Sequence, residues 1–276
     1  MNWLMEHSNW KMEIIQPYSR AHLWITIGCV LLAFLGAYFF QKIRISKIRK
    51  NHFTEQNVQQ WQNHFICGVG IVLAVLEIYK QFFLTYVRNG NYSWSDFPFQ
   101  LCSIGMYLCL VYSFLPGKWK KCVQTFFMTF GMLGGIVAFI EPTSSFHAYV
   151  TLTVQSLLWH TILLMLGLYF AMERRLQHNF LGKKELWLDF YGAMVLYIEA
   201  AVIAIVLNSL FCRISSGTMN LFFLGPSSPN AYLLNDIYNQ LGPVAETMIF
   251  MTATVVGAGL LYLWHHYTED QTGNEE

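Results

Sequence analysis

The chain has 276 residues, of which 55% are apolar and 12% are charged. A soluble globular protein carries about 25% charged residues, so this composition excludes an ordinary water-soluble fold. The formal net charge of +1 gives no basic surface of the kind that nucleic acid requires, and no nucleic-acid partner is expected.

Seven apolar runs are long enough to cross the roughly 30 Å core of a membrane, which takes about 20 helical residues. Lipid offers no partner for free backbone groups, so each run is predicted to be a helix. Residues 1–21 show no signal-peptide pattern, and the first run is expected to be retained. We predict one all-α integral membrane domain over 1–276, a polytopic helical bundle whose seven transmembrane helices lie at about 22–41, 62–84, 95–115, 122–140, 148–172, 187–211 and 243–264.

Basic residues predict the orientation of this bundle, because they concentrate on the cytoplasmic side of membrane proteins. The connections after the first, third and fifth spans hold twelve of the seventeen: Lys42, Arg44, Lys47, Arg49, Lys50, Lys118, Lys120, Lys121, Arg174, Arg175, Lys183 and Lys184. The opposite side holds only Lys11, Arg20, Arg88 and Arg213. This distribution predicts an N-terminus outside the cell, the 212–242 connection also outside, and an acidic tail at 269–276 in the cytoplasm of a multi-pass cell-membrane protein.

The six cysteines show neither a CxxC pair nor a Cys/His ligand spacing, so a structural zinc site is not expected. Most of them are expected to act as small apolar packing residues. No metal and no cofactor are expected from the sequence.

Four reactive or ionisable side chains lie inside predicted spans: Glu77, Cys102, His160 and Glu199. Groups of this kind are costly within a membrane and are therefore candidates for a functional site. Counted from the cytoplasmic ends of their helices at about 1.5 Å per residue, all four lie roughly 21–24 Å deep. The sequence thus predicts one layer that contains a thiol, an imidazole and two carboxylates.

Such a layer permits nucleophilic catalysis. An imidazole can take the proton of a thiol, and a carboxylate can fix the tautomer of the imidazole. Cys102, His160 and either Glu77 or Glu199 would form this arrangement, and Cys102 would hold an acyl chain as a thioester. Pro98 is predicted to bend the third helix and to free backbone donors for an oxyanion.

Each of these residues also has a structural interpretation that the sequence leaves open. Cys102 and Cys109 lie seven residues apart on nearly the same face and could both be packing residues. His160 could hydrogen-bond between helices. Glu77 has Lys80 three residues later and could form an ion pair within its helix.

The segment Phe97-Pro98-Phe99-Gln100-Leu101-Cys102 resembles the Leu-Pro-Leu-His-Leu-Cys signature of the YwaF-like bacterial integral membrane proteins. The eukaryotic relatives of that family include a membrane acyltransferase that remodels plasmalogen phospholipids. Further features follow in the same order over about 60–265: the glycines of 131–135, Glu141-Pro142, His160, and the Gly-Thr-Met-Asn-Leu-Phe-Phe-Leu segment at 217–224.

The resemblance implies acyl transfer between phospholipid and lysophospholipid substrates in the bilayer, with Cys102 as nucleophile and His160 as catalytic histidine. Asn220 in the loop motif is added as a supporting residue, beside the carboxylates suggested by depth. Gln100 replaces the signature histidine, which removes an imidazole there and bears on head-group recognition. Glu141-Pro142 replaces the Thr-Pro of the family.

Several functions remain open at this stage. A lysophospholipid acyltransferase or transacylase and a lipid hydrolase would share the catalytic dyad of Cys102 and His160. They would differ in the acceptor of the acyl group. A small transporter or permease subunit would instead use Glu77, Lys80, Glu199 and His160 to line a pathway. A membrane scaffold would use none of these groups for chemistry.

Overall fold

The computed structural model describes residues 2–49, 55–177, 183–225, 227–229 and 231–272, and its regular structure within these ranges is helical. The basic residue Lys50 and residues 273–276 of the predicted acidic tail lie outside the described residues. The α-helices of the described ranges are α1 (Asn2–His7), α2 (Arg20–Arg49), α3 (Glu55–Val87), α4 (Leu101–Val111), α5 (Gly117–Phe126), α6 (Met132–Ile140), α7 (Val150–Gln177), α8 (Lys183–Phe211), α9 (Tyr232–Leu241) and α10 (Pro243–Thr272).

Six helical stretches in the described ranges are long and apolar enough to cross a membrane. They are Arg20–Ile48, Gln56–Val87, Gly117–Ile140, Val150–Arg174, Trp187–Phe211 and Pro243–His265. These stretches match six of the predicted spans, so the all-helical, multi-pass architecture is confirmed. The remaining predicted span, 95–115, is the shorter apolar helix Leu101–Phe114, and a count of seven is not confirmed.

The third predicted span is short because α4 begins at Leu101 and not near residue 95. A 3₁₀ turn at Trp94–Asp96 is followed by extended backbone at Phe97, with φ −54° and ψ 129°. Proline disfavours helical conformation in the residue before it, so Pro98 holds Phe97 outside any helix. The expectation that Pro98 bends a helix from within was therefore wrong. From Leu101 to Phe114 the helix rises by roughly 21 Å, less than the membrane core.

Two buried ion pairs join helices at the end of the bundle that contains the basic residues. Arg44 of α2 contacts Glu173 of α7 at 2.9 Å, and Gln62 of α3 donates to the same carboxylate at 2.5 Å. Arg174 of α7 contacts Asp189 of α8 at 2.5 Å. The expectation that Arg44 and Arg174 lie in loops was wrong, because α2 and α7 continue past them. The orientation of the bundle in the membrane stays a prediction.

Helix α7 lies at the centre of the bundle and packs against α2, α3 and α6. The span from Gly117 to Ile140 is interrupted by a π-helical turn at Phe127–Gly131, which packs against α7 and α10. Helix α8 packs against α5. The predicted 212–242 loop contains a 3₁₀ turn at Leu221–Phe223 and the ten-residue helix α9.

Candidate active site

Helices α3 and α4 are in close contact at Gly70 and Cys109. A Cβ atom added to Gly70 would lie 2.8 Å from that of Cys109, so only glycine permits this approach. The two helices are antiparallel, since Asn63 near the start of α3 accepts a hydrogen bond from Ser113 just beyond the end of α4, at 3.2 Å. Glu77 follows Gly70 by seven residues and Cys102 precedes Cys109 by seven, which is about two turns in each case. This register places Glu77 at the level of Cys102, on the facing side of α3.

Helices α4 and α7 meet through a second glycine. A Cβ atom on Gly105 would lie 2.7 Å from Cδ2 of Leu163. Cys102 and His160 each lie three residues before these contact positions, and the indole of Trp159 donates to the carbonyl oxygen of Cys102 at 3.3 Å. The two contacts follow each other in the same direction along both chains, so α4 and α7 are parallel here and Cys102 and His160 lie at one level on neighbouring helices.

The backbone fixes the tautomer of His160. Its Nδ1 atom lies 2.8 Å from the carbonyl oxygen of Ser156, one turn earlier in α7. A carbonyl oxygen can only accept a hydrogen bond, so Nδ1 carries the proton and Nε2 of the neutral ring is left as a base. The expectation that a carboxylate fixes the ring was wrong, because a main-chain oxygen occupies that position.

Cys102 lies in the first turn of α4, directly after Leu101. Backbone N–H groups in a first turn have no acceptor within their own helix, and the helix dipole there favours negative charge. The N–H of Ser103 already donates to the carbonyl oxygen of Gln100 at 2.8 Å, which leaves those of Leu101 and Cys102 as candidate donors to an oxyanion. Cys102 and His160 are each partly buried and keep some accessible surface.

The carboxylate of Glu77 is buried and already has two partners. Lys80 contacts it at 2.8 Å, and the amide of Gln81 donates to it at 2.6 Å. The ion pair with Lys80 that the sequence left open as a structural interpretation is therefore present. Glu77 and Lys80 therefore form an ion pair without net charge at the level of Cys102 and His160.

Glu199 lies at the same predicted depth but faces away from the bundle. Its side chain is exposed on α8, beside exposed Ile198 and Val202. Among the described residues, no hydrogen bond or ion pair to Glu199 is present. The structure does not bring Glu199 to Cys102 and His160.

Gln100 links the start of α4 to the 217–225 segment. Its amide donates to the carbonyl oxygen of Asn220 at 2.9 Å, and its Oε1 atom accepts from the N–H of Phe222 at 2.8 Å. Both polar ends of the side chain are thereby used on the backbone of the loop. Gln100 positions the backbone two residues before Cys102.

Asn220 organises the same loop from within. Its amide donates to the carbonyl oxygen of Ser227 at 2.5 Å, and its Oδ1 atom accepts from the N–H of Gly225 at 2.7 Å. Phe222 and Phe223 have left-handed backbone with φ of 56° and 54°, a costly conformation for non-glycine residues. The loop therefore depends on these hydrogen bonds to keep its shape.

Sequence reasoning missed two residues that shape this region. Asn208 of α8 is buried and makes two hydrogen bonds to the backbone of Leu221, at 2.9 and 3.1 Å. It could have been found as an amide within the apolar run 187–211. Trp159, which donates to the carbonyl of Cys102, is one of many aromatic residues and carries no comparable signal.

The family of the protein follows from a comparison of the whole sequence with known families. The sequence model of the TMEM164 family matches residues 17–265, which cover α2 to α9 and most of α10. The chain belongs to the TMEM164 family. In this TMEM164-family chain, the matched range includes Cys102, His160, Gln100 and the 217–225 segment. No curated protein and no solved structure matches it significantly.

Proposed function

We propose that the chain is a membrane-embedded acyltransferase that moves a fatty acyl group from a phospholipid to a lysophospholipid through a thioester on Cys102. The observation that carries the proposal is the helix register that brings Cys102 to the level of His160, whose Nε2 atom is left as a base. Membership of a family linked to lipid metabolism supports the same reading.

In the first half-reaction, Nε2 of His160 takes the proton of the Cys102 thiol. The thiolate attacks the ester carbonyl carbon of the donor, and the N–H groups of Leu101 and Cys102 hold the negative oxygen. The carbon–oxygen ester bond then breaks, and the leaving oxygen takes the proton from His160. The products are an acyl thioester on Cys102 and a lysophospholipid.

The second half-reaction restores the enzyme. A hydroxyl group of the acceptor lysophospholipid gives its proton to Nε2 of His160 and attacks the thioester carbonyl. The carbon–sulfur bond breaks, and the sulfur regains the proton from His160. A new diacyl phospholipid leaves, and both side chains return to their starting protonation states.

The other candidate residues have supporting roles in this proposal. Gln100 and Asn220 hold the 217–225 segment against the start of α4, and Glu77 holds Lys80 at the level of the dyad. No role is assigned to Glu199. Because Cys102 lies at the start of α4, the ester enters from the end of the bundle where α4 begins, which the charge distribution predicts to be the outer leaflet of the cell membrane.

The arrangement of charges supports a transporter less well than an acyltransferase. Glu77 and Lys80 neutralise each other, and Glu199 faces outward on a different helix. These groups do not line a common space. A hydrolase would use the same dyad with water as acceptor, and only the fate of the acyl group separates it from a transferase.

The test is detection of the thioester by peptide mass spectrometry after detergent-purified protein is incubated with phospholipid. We expect a fatty-acyl adduct on the peptide that contains Cys102, removable by hydroxylamine, and absent in Cys102→Ala. The matched control is Cys109→Ala, one of the packing residues, which should keep the adduct. An unmodified Cys102 in folded wild-type protein would contradict the proposal.

A further inference from the structure

Lys80 lies beside the candidate dyad without belonging to it. Its ammonium is 2.8 Å from the Glu77 carboxylate, which the register places level with Cys102 and His160. Its side chain is 24% exposed, whereas that of Glu77 is 6% exposed, so the Lys80 side chain keeps accessible surface.

Lys80 lies on α3 at a height that the late-starting helix α4 does not reach. Lys80 follows Glu77 by three residues, almost one turn farther toward the end where α4 begins. At that height the segment that faces α3 is the non-helical backbone of Phe97 to Gln100, which precedes the start of α4. Lys80 therefore borders the approach to Cys102 from that end of the bundle.

The groups around this approach carry both signs of charge. Burial lowers the pKa of the His147 imidazole, the nearby Lys80 ammonium lowers it further, and Asp96 raises it. The carboxylate of Asp96 is paired with Arg88, and its backbone carbonyl accepts from Gln81 at 2.6 Å. Lys80 and Arg88 are each paired with a carboxylate, but Arg88 lies just beyond the end of α3, so Lys80 is the nearer of these two cations to the level of Cys102.

A glycerophospholipid presents matching chemistry. Its phosphate lies only a few covalent bonds from the ester carbonyl and closer to the membrane surface. A carbonyl placed at Cys102 would put the phosphate about one helical turn toward the end where α4 begins, which is the height of Lys80. An ammonium has three donors, so Lys80 can bind a phosphate oxygen and keep its contact with Glu77.

We propose that Lys80 binds the phosphate of the glycerophospholipid while its ester lies at Cys102, and so selects phospholipids over neutral glycerides. This inference rests on the proposed acyl transfer and assigns a residue to recognition of its phospholipid substrate. Lys80 acts here as a specificity-determining residue, since it touches the substrate away from the bonds that change.

The experiment compares two acyl donors of identical chains in detergent micelles, phosphatidylcholine and diacylglycerol, with the rate of Cys102 acylation as readout. For wild-type protein we expect phosphatidylcholine to be the better donor. Lys80→Gln should lower kcat/KM for phosphatidylcholine by about 10- to 100-fold, as expected for loss of a charge-assisted hydrogen bond. Lys80→Gln should leave kcat/KM for diacylglycerol nearly unchanged. Lys80→Arg, which keeps the positive charge, should retain most of the preference for phosphatidylcholine.

Lys80→Gln alone leaves the buried Glu77 carboxylate without its cation and could fail to fold. The double variant Glu77→Gln with Lys80→Gln removes both charges and should show the same loss of donor preference. Lys118→Gln changes an exposed lysine at the start of α5 and serves as the matched control.

The outcomes separate the two proposals. Equal losses for both donors, or an unchanged preference for phosphatidylcholine in the double variant, would overturn the role of Lys80 while the thioester mechanism stands. Wild-type protein that acylates Cys102 from neither donor would overturn the proposed function, and the role of Lys80 with it.

Discussion

Nδ1 of His160 donates to the carbonyl oxygen of Ser156 at 2.8 Å, so the ring is held within its own helix and presents Nε2 as the basic atom. This arrangement makes the imidazole independent of any neighbouring carboxylate. We expect Cys102 and His160 to act as a unit. His160→Ala should slow acylation of Cys102 by about 10²–10⁴-fold, the usual contribution of a general base.

The same unit predicts non-additive variants. Cys102→Ser should abolish acyl transfer, and the double variant with His160→Ala should be no worse than Cys102→Ser alone. Transfer of labelled acyl chains by purified proteins gives the rates, and thermal unfolding confirms that each variant is folded. An undiminished rate in His160→Ala would remove the imidazole from the mechanism.

The contact between Gly70 and Cys109 gives a prediction about stability. Gly70→Ala would press a Cβ against Cys109 and against the backbone nitrogen of Leu110, 2.9 Å away, and should cost about 1–3 kcal/mol. Gly68→Ala is the matched control, because nothing lies within 4 Å of its added Cβ. It should be neutral or stabilise α3 by up to about 1 kcal/mol. Thermal midpoints in detergent measure both, and equal midpoints would contradict the helix register.

Gln100 is predicted to hold the 217–225 segment in place. Gln100→Ala leaves the N–H of Phe222 without its acceptor and should destabilise the loop by about 1–3 kcal/mol. Hydrogen–deuterium exchange should then rise in residues 218–225 and acyl transfer should fall. Gln59→Ala, a change at an exposed position of α3, should leave both unaltered. Unchanged exchange in Gln100→Ala would show that the loop is held by other contacts.

Substitution of Glu199, unlike that of Gln100, is expected to leave acyl transfer intact. Its side chain is exposed on α8, so Glu199→Leu replaces a carboxylate on an apolar surface and should leave the rate of acyl transfer unchanged. Membrane insertion should improve slightly, because a charged group at mid-span is costly. A large loss of transfer activity with intact folding would return Glu199 to the site.

The sequence predicted the common level that the helix register supports for Glu77, Cys102 and His160, but it did not predict the direction of side chains. Counting residues placed Glu77, Cys102, His160 and Glu199 in one layer, because a regular helix rises by a constant amount per residue. Depth says nothing about rotation around a helix axis. α8 is apolar on most of its surface, so no pattern indicated that Glu199 faces outward.

Backbone groups explain the other differences. The partner of His160 is a main-chain carbonyl, which any residue at position 156 would supply, and the sequence therefore gave no sign of it. The late start of α4 was readable in principle from Pro98, since the residue before a proline avoids helical conformation. The apolar composition of 95–115 concealed that boundary.

The measurement that tests the central claim most directly is a chase of the isolated acyl-enzyme. Protein acylated on Cys102 with a labelled chain is freed of donor and then given lysophospholipid. The proposed mechanism predicts that the label leaves Cys102 and appears in diacyl phospholipid, at a rate that accounts for steady-state turnover. Label that stays on Cys102 would contradict the account, and label released as free fatty acid would identify a hydrolase in place of an acyltransferase.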